Sequence, residues 1–176
     1  MAKLHFEDEA ELFAHKAWET LKLEAPADLS VVTGKLGIEV HEREFVEEID
    51  GLYLRLPGAP PLIVINSLYI KPFVRKRFTL AHEIGHHLLS HRISPGKRLF
   101  FFDTSKTRRT SMEYACDRFA ALLLMPENLM RQYYQELSYN SERRVGIMAE
   151  RFGVSVWALR RRLNELELPY RQRRRA

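Results

Sequence analysis

The chain of 176 residues has a single cysteine, so no intrachain disulfide can form and stability has to come from burial. It has no apolar run near the ~20 residues needed to cross a bilayer. Its first stretch, MAKLHFEDEAELFAHKAW, is acidic and amphipathic and lacks the apolar centre of a secretory signal. No internal repeat is visible. These absences point to a cytoplasmic protein without a membrane partner. What is present is ordinary for a soluble globular chain of one or two domains: 45% hydrophobic and 29% charged residues.

The net charge of +5 is unevenly placed. Arg160, Arg161, Arg162, Arg171, Arg173, Arg174 and Arg175 crowd the C-terminus. Residues 171–176 show no apolar periodicity and are expected to be disordered. A basic tail of this kind can attract nucleic acid weakly, without reading its sequence.

The most informative segment is RFTLAHEIGHHLLSH, Arg77 to His91. It holds His82, Glu83 and His86 in the pattern H-E-x-x-H, within a run of helical period. One turn separates the two histidines, which then stand only ~40° apart in azimuth and can share a metal ion. Glu83 lies ~60° from His86, close enough to act as a base toward water at that ion. The bland alternative is an amphipathic helix with surface histidines. Against it, Phe78, Gly85 and Leu89 share the histidine face, and Leu80, Ile84 and Leu88 form a second apolar flank. Such a helix is largely buried, where unpaired imidazoles are costly. Gly85 in mid-helix loses roughly 1 kcal/mol against alanine, which suggests close approach by a backbone or ligand. His87 and His91 are also four apart, but no carboxylate stands between them. His87 is read as a residue at the rim of the site and His91 as a solvated helix-end residue. His5, His15 and His41 have no spacing partner.

A catalytic zinc takes three protein ligands. SMEYACDRFAALLLMP, Ser111 to Pro126, reads as a second and mostly buried helix. Glu113 and Asp117 lie four apart beside its apolar stripe. Like charges so spaced are mildly destabilising without a partner. Zinc and its histidines would be that partner, with Glu113 as third ligand and Asp117 accepting a hydrogen bond from a ligand histidine. Cys116 lies three residues after Glu113 and packs near the metal on this reading. Its ordinary role would be that of a small buried hydrophobe, with a redox or ligand-swap role as the alternative reading.

H-E-I-G-H followed by E-x-x-x-D resembles the gluzincin metallopeptidases. The longer string RFTLAHEIGHHLL, EYACDRFAALLLMP and MAERFGVSVWALRRRL resembles the ImmA/IrrE family over roughly Gly51 to Leu168. That resemblance implies a zinc peptidase that cuts a helix-turn-helix repressor, switching on a stress-response or mobile-element operon. Cys116 and Asp117 stand where the family often has Ala-Asn, and Asp can accept the same hydrogen bond. Arg92 to Ser111 has no counterpart in the resemblance.

The expected fold is α+β. A small, mainly antiparallel sheet packs beside the zinc helix, and the C-terminal half is helical. Residues ~7–24 form a helix with Leu12, Trp18 and Leu21 inward, and Leu29 to Lys35 forms a second. Strands are expected at Ile38 to Val40, Tyr53 to Leu56 and Leu62 to Asn66, with Leu62 to Asn66 as the exposed edge that would pair with an extended substrate. Arg92 to Ser111 reads as a mobile loop whose aromatic run, Leu99 to Phe102, is either a small lid or a substrate contact. Residues 1–138 would be the peptidase domain, 139–168 a helix-turn-helix-like unit packed on it, and 169–176 a basic tail. In that unit Val145, Met148, Ala149 and Phe152 line one stripe, Gly153 turns the chain and Ser155 caps the next helix. Val156 and Trp157 are poor readers of base edges, although Arg160 and Arg161 could hold phosphates.

The expected chemistry is zinc-dependent peptide hydrolysis with Glu83 as general base. His87, Tyr114, Tyr133 and Tyr134 are candidate oxyanion donors. Two other readings remain: a DNA-binding regulator with a structural zinc, and a partner that binds a repressor in a toxin–antitoxin or phage module without cutting it.

Overall fold

The computed structural model describes residues 5–68, 72–93, 96–103, 110–137 and 141–170. The expected tail disorder, at 171–176, lies outside the described residues. Helix α1 is Phe6–Leu21 and α2 is Leu29–Leu36. Three strands follow, β1 Glu39–Arg43, β2 Gly51–Arg55 and β3 Leu62–Asn66, and then the helix of the H-E-x-x-H pattern, α3 Phe73–Leu89. After β4, Leu99–Asp103, come α4 Ser111–Leu124, α5 Glu127–Glu136, α6 Ser141–Phe152 and α7 Val156–Glu165. This is the expected α+β class. None of the described helices is long and apolar enough to cross a membrane.

Local chemistry sets the helix starts. Asp28 accepts from the Ser30 amide ahead of α2, Thr110 from the Glu113 amide ahead of α4, and Ser155 from the Ala158 amide ahead of α7. Gly37 ends α2 at φ 66° and Gly153 turns α6 into α7 at φ 63°, both in the left-handed region that suits glycine.

The sheet order is β1-β3-β2-β4, with β1 parallel to β3 and the other pairs antiparallel. This overturns the expected edge. β3 is central, and the edges are β1 and β4. The residue types explain it: Leu-Ile-Val-Ile is apolar on both faces, as suits a strand with two neighbours, whereas β1 carries Glu39, His41, Glu42 and Arg43 and is exposed throughout. Part of the expected loop Arg92 to Ser111 is likewise strand β4, paired with β2 from Gly51↔Asp103 to Arg55↔Leu99. Residues 104–109 of it lie outside the described residues.

α3 is packed between two layers. One side meets β2 and β3, where Tyr53, Ile63 and Ile65 are buried, and the other meets α4. α1 covers α4 in turn. Its inward face is Ala10 and Ala14, and the Trp18 indole donates to the Leu123 carbonyl at 2.9 Å. Leu12, expected inward, is 54% exposed, because it lies about 200° around the helix from Ala10. The α6–α7 pair is tied on by cations. Arg77 donates to the Gly153 and Ala27 carbonyls, and the buried Arg162 donates to the Met125 carbonyl.

Candidate metal centre

Two glycines allow the layers to meet at the histidines. A Cβ on Gly85 would lie 3.1 Å from the Cys116 Cα and 3.2 Å from its Cβ, so α3 and α4 touch backbone to backbone there. Their contact sets Glu113 and Asp117, which flank Cys116 on α4, against His82 and His86. On the sheet side, a Cβ on Gly51 would lie 2.9 Å from Glu83 Oε1. Glycine at the start of β2 therefore leaves room for the Glu83 carboxylate, which is fully buried.

The donor atoms converge. His82 Nε2 is 3.2 Å from His86 Nε2 and 3.1 Å from Glu113 Oε2, and His86 Nε2 is 3.5 Å from Glu113 Oε1. Donors on a tetrahedral ion with bonds of ~2.0–2.1 Å stand ~3.3 Å apart, so the spacing of these three residues suits such an ion. Asp117 Oδ1 lies 2.9 Å from His82 Nδ1. An ionised Asp117 holds the proton on Nδ1 and leaves the Nε2 lone pair directed at the cluster. Burial alone would raise the Glu113 pKa, but hydrogen bonds and charge from His82 and His86 outweigh it and hold this carboxyl well below the usual range. That lowering comes from imidazoles carrying a proton on Nε2; a bound cation would take the place of those protons and favour the anionic carboxylate in the same way. His82, His86 and Cys116 also form a buried group whose donor atoms lie within 4.8 Å of one another. Glu113 is the closer third donor, because its oxygens sit at the edge length of a coordination tetrahedron.

The aromatic run that the sequence left undecided divides by strand alternation. Phe101 points inward, with its ring stacked on His86 at 4.5 Å and 13° and on Tyr53 at 6.2 Å. Phe100 and Phe102 point outward and are about half exposed. Neither Phe101 nor Tyr53 was singled out from the sequence as a site residue. The period-2 aromatic run was the available signal for Phe101.

The remaining candidates separate. Tyr53 Oη is 2.9 Å from His87 Nδ1. Burial and the nearby Arg55 charge lower the His87 pKa, so its ring is neutral near pH 7. A Tyr53 hydroxyl donating to Nδ1 leaves the proton, and a free donor, on Nε2. Tyr114 is half exposed on a cleft of about 410 Å³ that Asp117, Trp157 and Arg161 also line. Tyr133 and Tyr134 belong to other contacts. Tyr133 packs on Phe152 and under Arg151, and the Tyr134 hydroxyl donates to the Pro169 carbonyl. His91 is exposed, with its ring edge on Phe13 and its Nε2 3.8 Å from Glu9 Oε1, whereas His87 Nδ1 meets Tyr53.

Residues 33–164 match the family described as the IrrE N-terminal-like domain, a peptidase family. None of the curated proteins compared gives a significant match.

Proposed function

Since the chain belongs to the IrrE N-terminal-like peptidase family, we propose that it is a zinc endopeptidase acting on a helix-turn-helix transcriptional repressor in the cytoplasm. The observation that carries this reading is the convergence of His82, His86 and Glu113 at tetrahedral edge distances, with Glu83 buried alongside. Zinc, when bound there, supplies a Lewis acid that polarises the scissile carbonyl and acidifies water.

The protein's own residues do the rest. Glu83 takes the water proton and passes it to the leaving amine. Asp117 fixes the His82 tautomer, and Phe101 covers His86. His87 is the preferred oxyanion donor among the candidates, because the Tyr53 hydroxyl satisfies Nδ1 and leaves Nε2–H to donate. β4, an edge strand among the described residues and beside the histidine that Phe101 covers, takes the role of substrate-pairing strand. The cleft between Tyr114 and Trp157 lets the C-terminal helices, residues 139–168, hold a folded substrate next to the peptidase unit, residues 1–138.

A DNA-reading role draws little support. Arg160 is engaged by Glu142 and Arg161 by Glu165, and Trp157 presents no hydrogen-bonding fork to a groove. The test is to incubate the purified protein with the repressor encoded beside it, with and without a chelator. Cleavage that the chelator stops and added zinc restores is the expected outcome. Binding without cleavage under zinc saturation would favour the non-cleaving partner instead.

A further inference from the structure

Cys116 is buried, and its sulfur belongs to the same donor group as His82 and His86. It is held there by a close backbone approach of α3 to α4 at Gly85. Its Sγ lies 3.4 Å from where a Gly85 Cβ would be, one residue before His86. A thiolate binds zinc at ~2.3 Å and an imidazole at ~2.0–2.1 Å, so such donors stand ~3.6 Å apart on one ion, inside the 4.8 Å within which the donor atoms of this group already lie.

We propose that Cys116 is a fourth protein donor to the metal centre, closing in the resting protein the position that a catalytic site keeps open. The inference rests on the metallopeptidase reading above. Two imidazoles, the Glu113 carboxylate and a thiolate fill a tetrahedral ion, as structural zinc sites do. In forming the bond the Cys116 S–H breaks, the sulfur joins the metal and the proton leaves to solvent. The soft sulfur tilts selection toward zinc or cadmium and away from manganese. A closed resting site also has a functional consequence: the centre holds its ion tightly while cleaving slowly.

Cobalt(II) replaces zinc for the test, because a cobalt–thiolate bond has its own near-ultraviolet charge-transfer band. The wild-type cobalt protein is expected to show that band. Cys116→Ala and Cys116→Ser are expected to lose it while keeping their helix content by circular dichroism. Zinc binding to either variant should release fewer protons at fixed pH, and zinc-loaded Cys116→Ala should cleave faster per bound zinc. Bound cobalt with no such band, together with chelator-sensitive cleavage, would overturn this proposal alone. A band that survives in both variants would overturn it as well. Failure of wild type to bind cobalt or zinc at all would overturn both this proposal and the metallopeptidase reading.

Discussion

Two helix pairs in this molecule carry rows of polar side chains, and they use them in opposite ways. In the α3–α4 pair the polar groups face one another, the histidines buried and the carboxylates partly so: His82, His86, Glu113 and Asp117 share atoms within hydrogen-bonding range. In the α6–α7 pair most of them point outward and are satisfied pairwise, as in Arg160 with Glu142 and Arg161 with Glu165. Groups that converge in this way can share an ion, which would offset the cost of taking imidazoles and a carboxylate out of water. Exposed ion pairs ask for nothing more and contribute little to stability. The surface arginines therefore say less about function than the few polar residues in the interior.

The largest effect expected from this contrast is at Glu113. Glu113→Ala should purify largely free of metal. Asp117→Ala should bind it about 10–100-fold more weakly, the usual effect of losing a partner behind a ligand. Glu127→Ala, an exposed carboxylate paired with Arg131 on α5, should match wild type. Metal-to-protein ratios after dialysis give the order directly, and full occupancy in Glu113→Ala would move the third donor elsewhere.

Next in size is the crossing itself. Gly85→Leu puts a side chain where the Cys116 backbone already stands at 3.1 Å. Overpacking of this kind destabilises by about 1–3 kcal/mol, and it should also separate Glu113 from the histidines. Denaturant midpoints and metal occupancy should fall together.

A smaller effect is expected at the outward face of β4. Serine at both Phe100 and Phe102 should slow cleavage of a protein substrate several-fold while leaving metal content unchanged, since neither ring touches the donors. Equal loss on a short unstructured peptide would place these rings in the catalytic machinery. The smallest effect belongs to α7. Alanine at Arg160 and Arg161 removes exposed pairs worth about 0–1 kcal/mol each, and short-peptide hydrolysis should not change. Loss of sequence-specific DNA binding in that variant would revive the regulator reading.

How much of this was legible in the sequence depends on the range of the interaction. The H-E-x-x-H helix, the Glu113 and Asp117 face of α4 and the stripes of α6 and α7 are written in local period, and the structure has helices there. The resemblance extended the reading to the family as a whole. Strand order is not local: the unbroken apolar run Leu62 to Ile65 carries the mark of a central strand, but nothing in it names its neighbours, and the expected edge lies elsewhere. β4 was read as loop because its pairing partner, β2, lies more than forty residues earlier. Phe101 was missed for the same reason. A strand's alternation says which residues share a face, but only the sheet decides that this face covers His86. Helix α5 went unassigned, and Leu12 was placed inward because the small residues Ala10 and Ala14, which set the true inner face, carry a weak hydrophobic signal.

The measurement that bears most directly on the central claim is metal content and cleavage taken together on Glu83→Gln. The side chain keeps its size and can still hydrogen-bond in the space left by Gly51, but it can no longer accept the proton. Zinc occupancy equal to wild type, an unchanged circular dichroism spectrum and nearly complete loss of repressor cleavage are expected. Near-wild-type cleavage by a fully zinc-loaded Glu83→Gln protein would contradict that claim.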